Sequence, residues 1–256
     1  MIEIKSIQQI LSYTRRAISD YDMICGGDRI AVGVSGGKDS LTLLCAMREL
    51  QRFFPSRFEV LPITIEMGFP DSNTDNIDEL CGYLGLKPNY FHTEIYKIVF
   101  ELRNEKNPCS LCANIRRGAL NRAAAELGCN KVALAHHFED TIETFYMNLF
   151  NNGRIDCFSP VTYLERAHLT VIRPFIYVPE KEIKHFIRVC GITTSPKSCP
   201  ADGSTDRFRT KELLNSLSKT DKGIKQRLFG AMEKAGVGGF KVCPRQRKYL
   251  KTGDLK

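Results

Sequence analysis

A short apolar run followed by a glycine-rich turn and a helical pattern constrains the fold of this chain most strongly. Residues 29–34 (Arg-Ile-Ala-Val-Gly-Val) are apolar enough to form a buried strand. The turn that follows reads Ser35-Gly36-Gly37-Lys38-Asp39-Ser40. Leu41, Leu44 and Met47 then recur at the spacing of one helix face. The order predicts a strand, a loop and a helix that begins close to the turn.

Strand and helix patterns alternate through the rest of the chain. We predict further strands at 58–65, 89–92, 131–135 and 169–172, and helices at 77–84, 112–127, 139–150 and 179–187. This alternation predicts an α/β fold, a doubly wound parallel sheet with helices on both faces, whose ligands bind at the carboxyl ends of the strands. An amphipathic helix ends near Asp20, and two basic amphipathic helices follow Pro200. We therefore divide the chain into an N-terminal helix (1–27), an α/β body (28–200) and a basic helical region with a tail (201–256).

Positive charge is concentrated at the C-terminal end. The 256 residues carry a net charge of +8, yet residues 205–256 alone hold fourteen Lys and Arg against five Asp and Glu. Such an asymmetry indicates a polyanionic partner such as a nucleic acid, although a solvated basic face that serves solubility explains it equally well. We find no run of eighteen apolar residues and no signal-peptide order at the N-terminus, so we expect a cytoplasmic protein with no membrane partner.

The chain contains ten cysteines, which a cytoplasmic protein of this length does not use as a disulfide framework. Several are predicted to be structural because they fall on apolar faces or at element ends: Cys45, Cys81, Cys129 and Cys190. Cys109 and Cys112 differ, since they form a Cys-x-x-Cys motif at the N-terminus of a predicted helix. Such a motif can be a redox pair, half of a zinc site or part of an iron–sulfur site.

The glycine-rich turn is built for an anion but differs from the P-loop of kinases and GTPases. Val32 stands where that motif has its first glycine, and Asp39 replaces the Ser or Thr after Lys38. Two adjacent glycines, Gly36 and Gly37, permit backbone conformations that aim successive N–H groups at one anion. The N-terminus of the following helix adds to the attraction.

The side chains of the turn suit a nucleotide with a metal ion. Ser35 and Ser40 supply hydroxyl donors, Lys38 supplies a positive charge, and Asp39 supplies a carboxylate for Mg²⁺ beside phosphates. The sequence Ser-Gly-Gly-Lys-Asp-Ser behind an apolar strand resembles the pyrophosphate loop (PP-loop) of the ATP pyrophosphatases. The resemblance implies that Ser35–Ser40 binds ATP, which is cleaved to AMP and pyrophosphate to adenylate a carbonyl oxygen.

A second motif follows the strand predicted at 131–135. Its residues are Ala135-His136-His137-Phe138-Glu139-Asp140-Thr141-Ile142-Glu143-Thr144. The pattern resembles the (A/G)HHxxDxxET segment of RNA-modifying PP-loop enzymes, which implies that Asp140 is a catalytic carboxylate that holds Mg²⁺ together with Asp39. Two carboxylates from different loops can hold a metal against a triphosphate. Strand-end packing or capping remains an alternative role for His136 and His137.

The segment around the Cys-x-x-Cys motif, PCSLCxxxRRGxLxxxAxELG, resembles that of the tRNA 2-thiocytidine synthetases (the TtcA family), and the likeness extends from about Arg29 to Cys199. It implies a 4Fe-4S cluster held by three cysteines, for which we assign Cys109, Cys112 and Cys199. Cys243 and Cys190 are less favoured third ligands. A zinc site formed by Cys109, Cys112, Cys199 and Cys243 is the alternative. The sequence departs from the family after Cys199, where many members have another cysteine.

Arg116 lies one helical turn after Cys112 and can share a face with it. Related thiouridine synthetases have a lysine there, near the phosphates of ATP, so we place Arg116 with Lys38, Asp39 and Asp140 among the catalytic residues. The resemblance implies an ATP-dependent tRNA sulfurtransferase that adenylates the C2 carbonyl of a pyrimidine, a cytidine of the anticodon loop, and replaces oxygen with sulfur. Its expected partners are tRNA, a sulfur donor (a cysteine desulfurase or sulfide) and a second copy of the chain.

Other functions fit parts of the same pattern. The chain could form 2-thiouridine or lysidine, although lysidine synthetases do not need the Cys-x-x-Cys motif. It could instead be a zinc-stabilised RNA-binding module without catalysis, or a sulfur transferase that acts on a small molecule. Pyrophosphate release in the presence of ATP and tRNA separates an enzyme from a silent binding module, and salt-dependent tRNA binding argues against a small-molecule substrate.

Overall fold

The computed structural model describes Ile2, Ile4 and residues 6–70, 73–103, 108–196 and 206–243. Cys199, the expected third cluster ligand, lies outside the described residues, as does the end of the basic tail. Within the described ranges, six strands form one sheet: β1 (Arg29–Gly33), β2 (Glu59–Glu66), β3 (Asn89–His92), β4 (Lys131–Ala133), β5 (Val161–Leu164) and β6 (Leu169–Ile172).

Eight α-helices accompany these strands in the described part of the chain. They are α1 (Gln8–Asp20), α2 (Lys38–Leu50), α3 (Asp75–Leu84), α4 (Pro108–Glu126), α5 (Phe138–Asn152), α6 (Glu180–Cys190), α7 (Asp206–Thr220) and α8 (Ile224–Ala235). A π-helical segment spans Lys97–Leu102, and short 3-10 turns span Glu165–Ala167 and Val237–Gly239. None of the helices in the described ranges is long and apolar enough to cross a bilayer.

The strand order β3-β2-β1-β4-β6-β5 confirms the predicted α/β fold. The first five strands in this order run parallel, and the order reverses between β1 and β4, so the crevice between their carboxyl ends is a topological switch point. The sequence did not reveal β5, which pairs antiparallel with β6 at the sheet edge. β5 has four residues and an incompletely buried face, so its hydrophobic pattern is weak.

The helices cover the sheet unequally, and two hydrophobic cores result. The larger core packs α1, α2, α3 and α6 against one face, with Leu11, Leu44 and Phe186 completely buried. The smaller core, on the other face, packs Ala124 of α4 against Val132 of β4 and their neighbours. Because α4 lies across β2 and β4, its N-terminal turn is carried to the carboxyl ends of the strands.

The C-terminal helices pack against the body through an aromatic cluster. The ring of Phe229 on α8 lies 5.0 Å from that of Phe138, 5.8 Å from that of Tyr177 and 5.5 Å from that of Phe240. Phe138 is the first residue of α5, which leads directly from the switch point. Helix α8 is thus fixed beside the helix that carries the second motif, while the domain boundaries at 27/28 and 200/201 remain predictions.

Candidate functional site

A cavity of about 800 Å³ opens at the switch point between β1 and β4. Its lining includes five residues expected from the sequence: Ser35, Asp39, Ser40, Arg116 and Asp140. It also includes three arginines to which the sequence assigned no function at this site: Arg117, Arg173 and Arg207. The two motifs, about a hundred residues apart in the chain, therefore border one space.

The glycine-rich loop has the conformation that an anion-binding turn needs, but only one of its two glycines requires it. Gly36 has φ +74°, a left-handed conformation that favours glycine, whereas Gly37 has an ordinary extended conformation (φ −81°) and caps α2. The hydroxyl of Ser40 accepts a hydrogen bond from the backbone N–H of Ser35 (3.1 Å) and donates one to the carbonyl of Gly37 (3.0 Å). Ser40 therefore shapes the loop from within.

A buried asparagine that the sequence did not single out anchors the loop. The side-chain amide of Asn76, on α3, donates to the carbonyls of Gly36 and Thr193, at 3.1 Å each. Ser195 donates its hydroxyl to Asn76 (3.0 Å) and its backbone N–H to the carbonyl of Gly36 (2.9 Å). Three distant segments thus meet at one carbonyl. An isolated asparagine in a helix carries no sequence signal that would have revealed this contact.

The ammonium group of Lys38 lies among carboxylates. Its Nζ is 2.7 and 2.8 Å from the two carboxylate oxygens of Asp39 and 3.2 Å from Oε1 of Glu180, the first residue of α6. Lys184 and Lys211 also pair with Glu180, at 3.0 Å each. Although burial opposes its charge, these lysines hold the pKa of Glu180 down at about 2. The sequence missed Glu180, which keeps several lysines at the edge of the site.

The two predicted metal carboxylates flank one imidazole. Nε2 of His137 lies 3.9 Å from Oδ1 of Asp39 and 3.5 Å from Oδ2 of Asp140. Nδ1 of His137 accepts the backbone N–H of Asp140 (3.3 Å), and the backbone N–H of His137 donates to Asp140 Oδ2 (3.0 Å), which forms a capping box on α5. His137 therefore has the capping role left open by the sequence and also lies between the carboxylates.

An arginine from the C-terminal region also binds Asp140. Nη1 of Arg207, on α7, lies 2.8 Å from Oδ1 of Asp140, and Nη2 lies 3.3 Å from the hydroxyl of Thr144. Burial opposes ionisation of Asp140, but His137 and Arg207 outweigh it and keep its pKa below the ordinary value. Asp140 is thus an ionised carboxylate that already accepts a cationic partner. Together with Asp39, it has the donor chemistry of a Mg²⁺ site completed by phosphates.

Glu143, one turn further along α5, has the opposite electrostatic setting. Its side chain is buried, and this burial, reinforced by the negative charge of Asp140, raises its pKa to about 7. Helix α5 therefore carries carboxylates of two kinds, since Asp140 stays charged while Glu143 binds a proton near neutral pH.

The Cys-x-x-Cys motif lies in the first turn of α4, which begins at Pro108 and not near Cys112 as the sequence suggested. Cys109 is exposed and Cys112 is half-buried. The next residue, Ala113, and Arg116 both line the cavity, so the cysteine-bearing turn adjoins the predicted ATP site. Two thiols at the surface of a helix turn suit the predicted cluster.

The two alternative third ligands, Cys190 and Cys243, lie beside other elements than the Cys-x-x-Cys motif. Cys190 is buried at the end of α6, and the thiol of Cys243 donates to the carbonyl of Asp20, at 3.5 Å, beside α1. In the part of the chain that the structure describes, no group of three His, Cys, Asp or Glu side chains is arranged to bind a metal. The assignment of Cys199 therefore stays a prediction.

Comparison with known proteins gives a consistent result. Residues 6–212 match the family model of the PP-loop domain. A tRNA-cytidine(32) 2-sulfurtransferase from Geotalea uraniireducens (strain Rf4) is 40% identical over 97% of this chain and 99% of its own length. The protein of the same name from Geobacter sulfurreducens (strain ATCC 51573 / DSM 12127 / PCA) is 39% identical over 88% of this chain and 89% of its own.

A solved structure shares the architecture. The U34-tRNA thiolase NcsA from Methanococcus maripaludis, determined with its [4Fe-4S] cluster, superposes with a TM-score of 0.72 over 88% of this chain and 79% of that chain. The sequences are 23% identical, so this likeness establishes the fold.

Proposed function

This chain belongs to the PP-loop family and, within it, to the tRNA-cytidine(32) 2-sulfurtransferases, and we propose on that basis that it is an ATP-dependent tRNA thiolation enzyme. Its reaction replaces the C2 oxygen of a pyrimidine, a cytidine in the anticodon loop, with sulfur. One observation carries this proposal: the Ser35–Ser40 loop, which includes Asp39, and Asp140 of the second motif border the same cavity.

The site supports an adenylation step. The C2 oxygen of the base attacks the α-phosphorus of ATP, the bond from that phosphorus to the bridging oxygen breaks, and pyrophosphate leaves. Asp39 and Asp140 would hold Mg²⁺ against the phosphates. Lys38 and the backbone N–H groups of the Ser35–Ser40 loop stabilise the negative charge that accumulates on pyrophosphate. Lys38 lies at this loop, where its ammonium would exchange carboxylate partners for phosphate oxygens.

Sulfur transfer completes the reaction. A sulfur nucleophile forms a bond to C2, and the C2–oxygen bond breaks so that AMP leaves with the former carbonyl oxygen. Cys109, Cys112 and Cys199 would hold a 4Fe-4S cluster, which would supply the sulfur nucleophile when bound. Arg116, on the same helix as the motif and on the cavity wall, provides a cation for the phosphates.

The substrate base has to leave its stack to reach this cavity. An unpaired nucleotide of an anticodon loop does so at low cost, which favours a single-stranded target. The basic residues of α7, α8 and the following tail supply cations for the tRNA backbone, and α7 reaches the cavity through Arg207. A body close to neutral charge would thus bind ATP while the basic region binds RNA.

The cluster assignment is tested by anaerobic purification with iron and zinc analysis of wild type, Cys109→Ser, Cys112→Ser and Cys199→Ser. We expect the wild type to contain iron, and we expect each of the three variants to lose both the iron and the thiolation activity. Cys25→Ser is the matched control, because Cys25 is exposed and lies at the opposite, amino-terminal end of β1. Stoichiometric zinc without iron, with activity retained, would refute the cluster.

We further propose that the enzyme acts in the cytoplasm as a homodimer, with sulfide or a cysteine desulfurase as sulfur donor. Exposed apolar side chains at the end of α5 and on α7 support self-association: Leu149, Phe150, Ile155, Leu213 and Leu217. Light scattering of the purified protein tests the dimer, and a molar mass of one chain at all concentrations would exclude it. Thiolation with sulfide alone, compared with a desulfurase and cysteine, identifies the donor.

A further inference from the structure

A buried arginine beside the cavity has unused hydrogen-bond donors. Arg173 follows β6 directly and is 8% exposed. Its Nε donates to Nδ1 of His136 (3.2 Å), and its Nη1 donates to the carbonyl of Ser159 and to the hydroxyl of Thr162 (3.3 Å). Among the residues that the structure describes, Nη2 has no hydrogen-bond partner for its two N–H groups. Arg173 lines the cavity, so a ligand there can reach these donors.

The partner of Arg173 has a donor of its own. A guanidinium only donates, so Nδ1 of His136 accepts and the ring proton is on Nε2. That Nε2–H also lacks a partner within the described ranges, and His136 lines the same cavity. The ring of Phe158 stacks on His136 at 4.7 Å, and the guanidinium of Arg173 lies 5.0 Å from the same ring. Phe158 therefore holds both donors in place.

The charge of Arg173 is not balanced by a carboxylate. None of the ion pairs in the described part of the chain includes Arg173, and its environment contains a second cation, Arg117. The thiol of Cys157 acts on it electrostatically, but burial raises the pKa of that thiol to about 12, so it is neutral at physiological pH. A buried charge without a counter-ion is costly, and a bound anion would remove that cost.

We propose that Arg173 and His136 form a binding site for phosphate oxygens, with Nη2 of Arg173 and Nε2 of His136 as donors to a bound phosphate group. An anion fits better than the neutral carbonyl of a base because the guanidinium lacks a counter-ion. The inference rests on the proposed function, which offers two sources of such a phosphate. One is the phosphate of the adenylate, which leaves as AMP, and the other is an RNA backbone phosphate next to the target nucleotide.

Binding measurements with Arg173→Met test the site and distinguish the two sources. Dissociation constants are measured for AMP and, separately, for an anticodon stem-loop RNA, with wild type, Arg173→Met and Arg173→Lys. We expect Arg173→Met to weaken the binding of one of the two ligands at least tenfold, and we expect Arg173→Lys to restore part of the lost affinity. Weakened AMP binding assigns the site to the nucleotide, and weakened RNA binding assigns it to the backbone. Thr162→Val, which removes only an acceptor of Arg173, is the matched control and should stay within twofold.

If Arg173→Met binds both ligands with unchanged affinity, this inference is overturned while the proposed function stands. Failure of the wild type to bind either ligand would overturn the proposed function with it.

A second measurement does not depend on the folding of Arg173→Met. In wild-type protein with ¹⁵N-labelled histidine, AMP or the RNA should shift the Nε2 resonance of His136, which is assigned by its absence from His136→Gln. A resonance that stays in place at saturation with both ligands would also overturn the inference.

Discussion

Asp39 and Asp140 lie in the first turns of two different helices, α2 and α5, and approach the same imidazole nitrogen, so each is expected to be needed for the metal-dependent step. Asp39→Asn and Asp140→Asn should each lower pyrophosphate release in the presence of ATP and tRNA by about a hundredfold or more, because charge stabilisation at such sites is worth that much. Glu59→Gln is the control, since Glu59 is exposed at the amino end of β2. Near-normal pyrophosphate release by either Asp variant would refute its assigned role.

Glu143 should make the stability of the protein depend on pH. Its pKa is about 7 in the folded state against 4.5 ordinarily, so the folded protein binds the extra proton and the free energy of unfolding falls as pH rises from about 4.5 to 7. The full loss is on the order of 3 kcal/mol. Glu143→Gln, which cannot ionise, should be more stable than wild type at pH 8, with most of that advantage gone at pH 5.

Urea unfolding at both pH values measures this difference. A stability difference between Glu143→Gln and wild type that is the same at pH 5 and pH 8 would show that Glu143 does not titrate in this range.

The loop after β1 depends on Gly36 more than on Gly37. A Cβ atom on Gly36 would collide with the hydroxyl of Ser195 and occupy a left-handed conformation, whereas one on Gly37 would meet only Ser35 Oγ, at an ordinary 3.6 Å. Gly36→Ala should therefore lower the melting temperature clearly and weaken ATP binding, while Gly37→Ala should leave the melting temperature close to that of wild type. Equal melting temperatures of the two variants would contradict this view of the loop.

The sequence predicted the elements that have strong periodicity and the motifs that have a fixed spacing. The parallel strands, the helices that cover them and the meeting of the two motifs at the switch point were all expected, because local pattern and topology decide them. The edge strand β5 and the π-helical segment at Lys97–Leu102 were not, since short elements carry little periodic signal. Hydrogen bonds such as Asn76–Gly36 and Arg207–Asp140 depend on tertiary packing, which no local pattern encodes.

Binding of tRNA to the whole protein should depend on salt concentration through the C-terminal helices α7 and α8. Lys219 and Lys222 are exposed near the junction of α7 and α8. Replacing both with alanine should weaken tRNA binding about tenfold at low salt and reduce the slope of log K against log salt concentration by about 2, because each lysine neutralises about one phosphate. Fluorescence titrations at several salt concentrations measure both quantities.

The matched control replaces Lys87 and Lys97, which are exposed on the body near the β3 edge of the sheet. The control should retain the wild-type slope. An equal decrease of the slope in the two double variants would mean that tRNA is attracted by overall charge and not by the C-terminal region.

The hydrogen bonds that converge on Gly36 also determine when during synthesis the loop can take shape. Asn76 lies 40 residues beyond Gly36, and it bonds at the same time to Thr193, a further 117 residues along the chain. Closing contacts over such separations is slow and comes after local structure has formed. A growing chain therefore carries the Ser35–Ser40 sequence early but cannot complete the loop until Ser195 has left the ribosome. We therefore expect nascent chains to bind a nucleotide at this loop only after the segment that contains Thr193 and Ser195 has emerged.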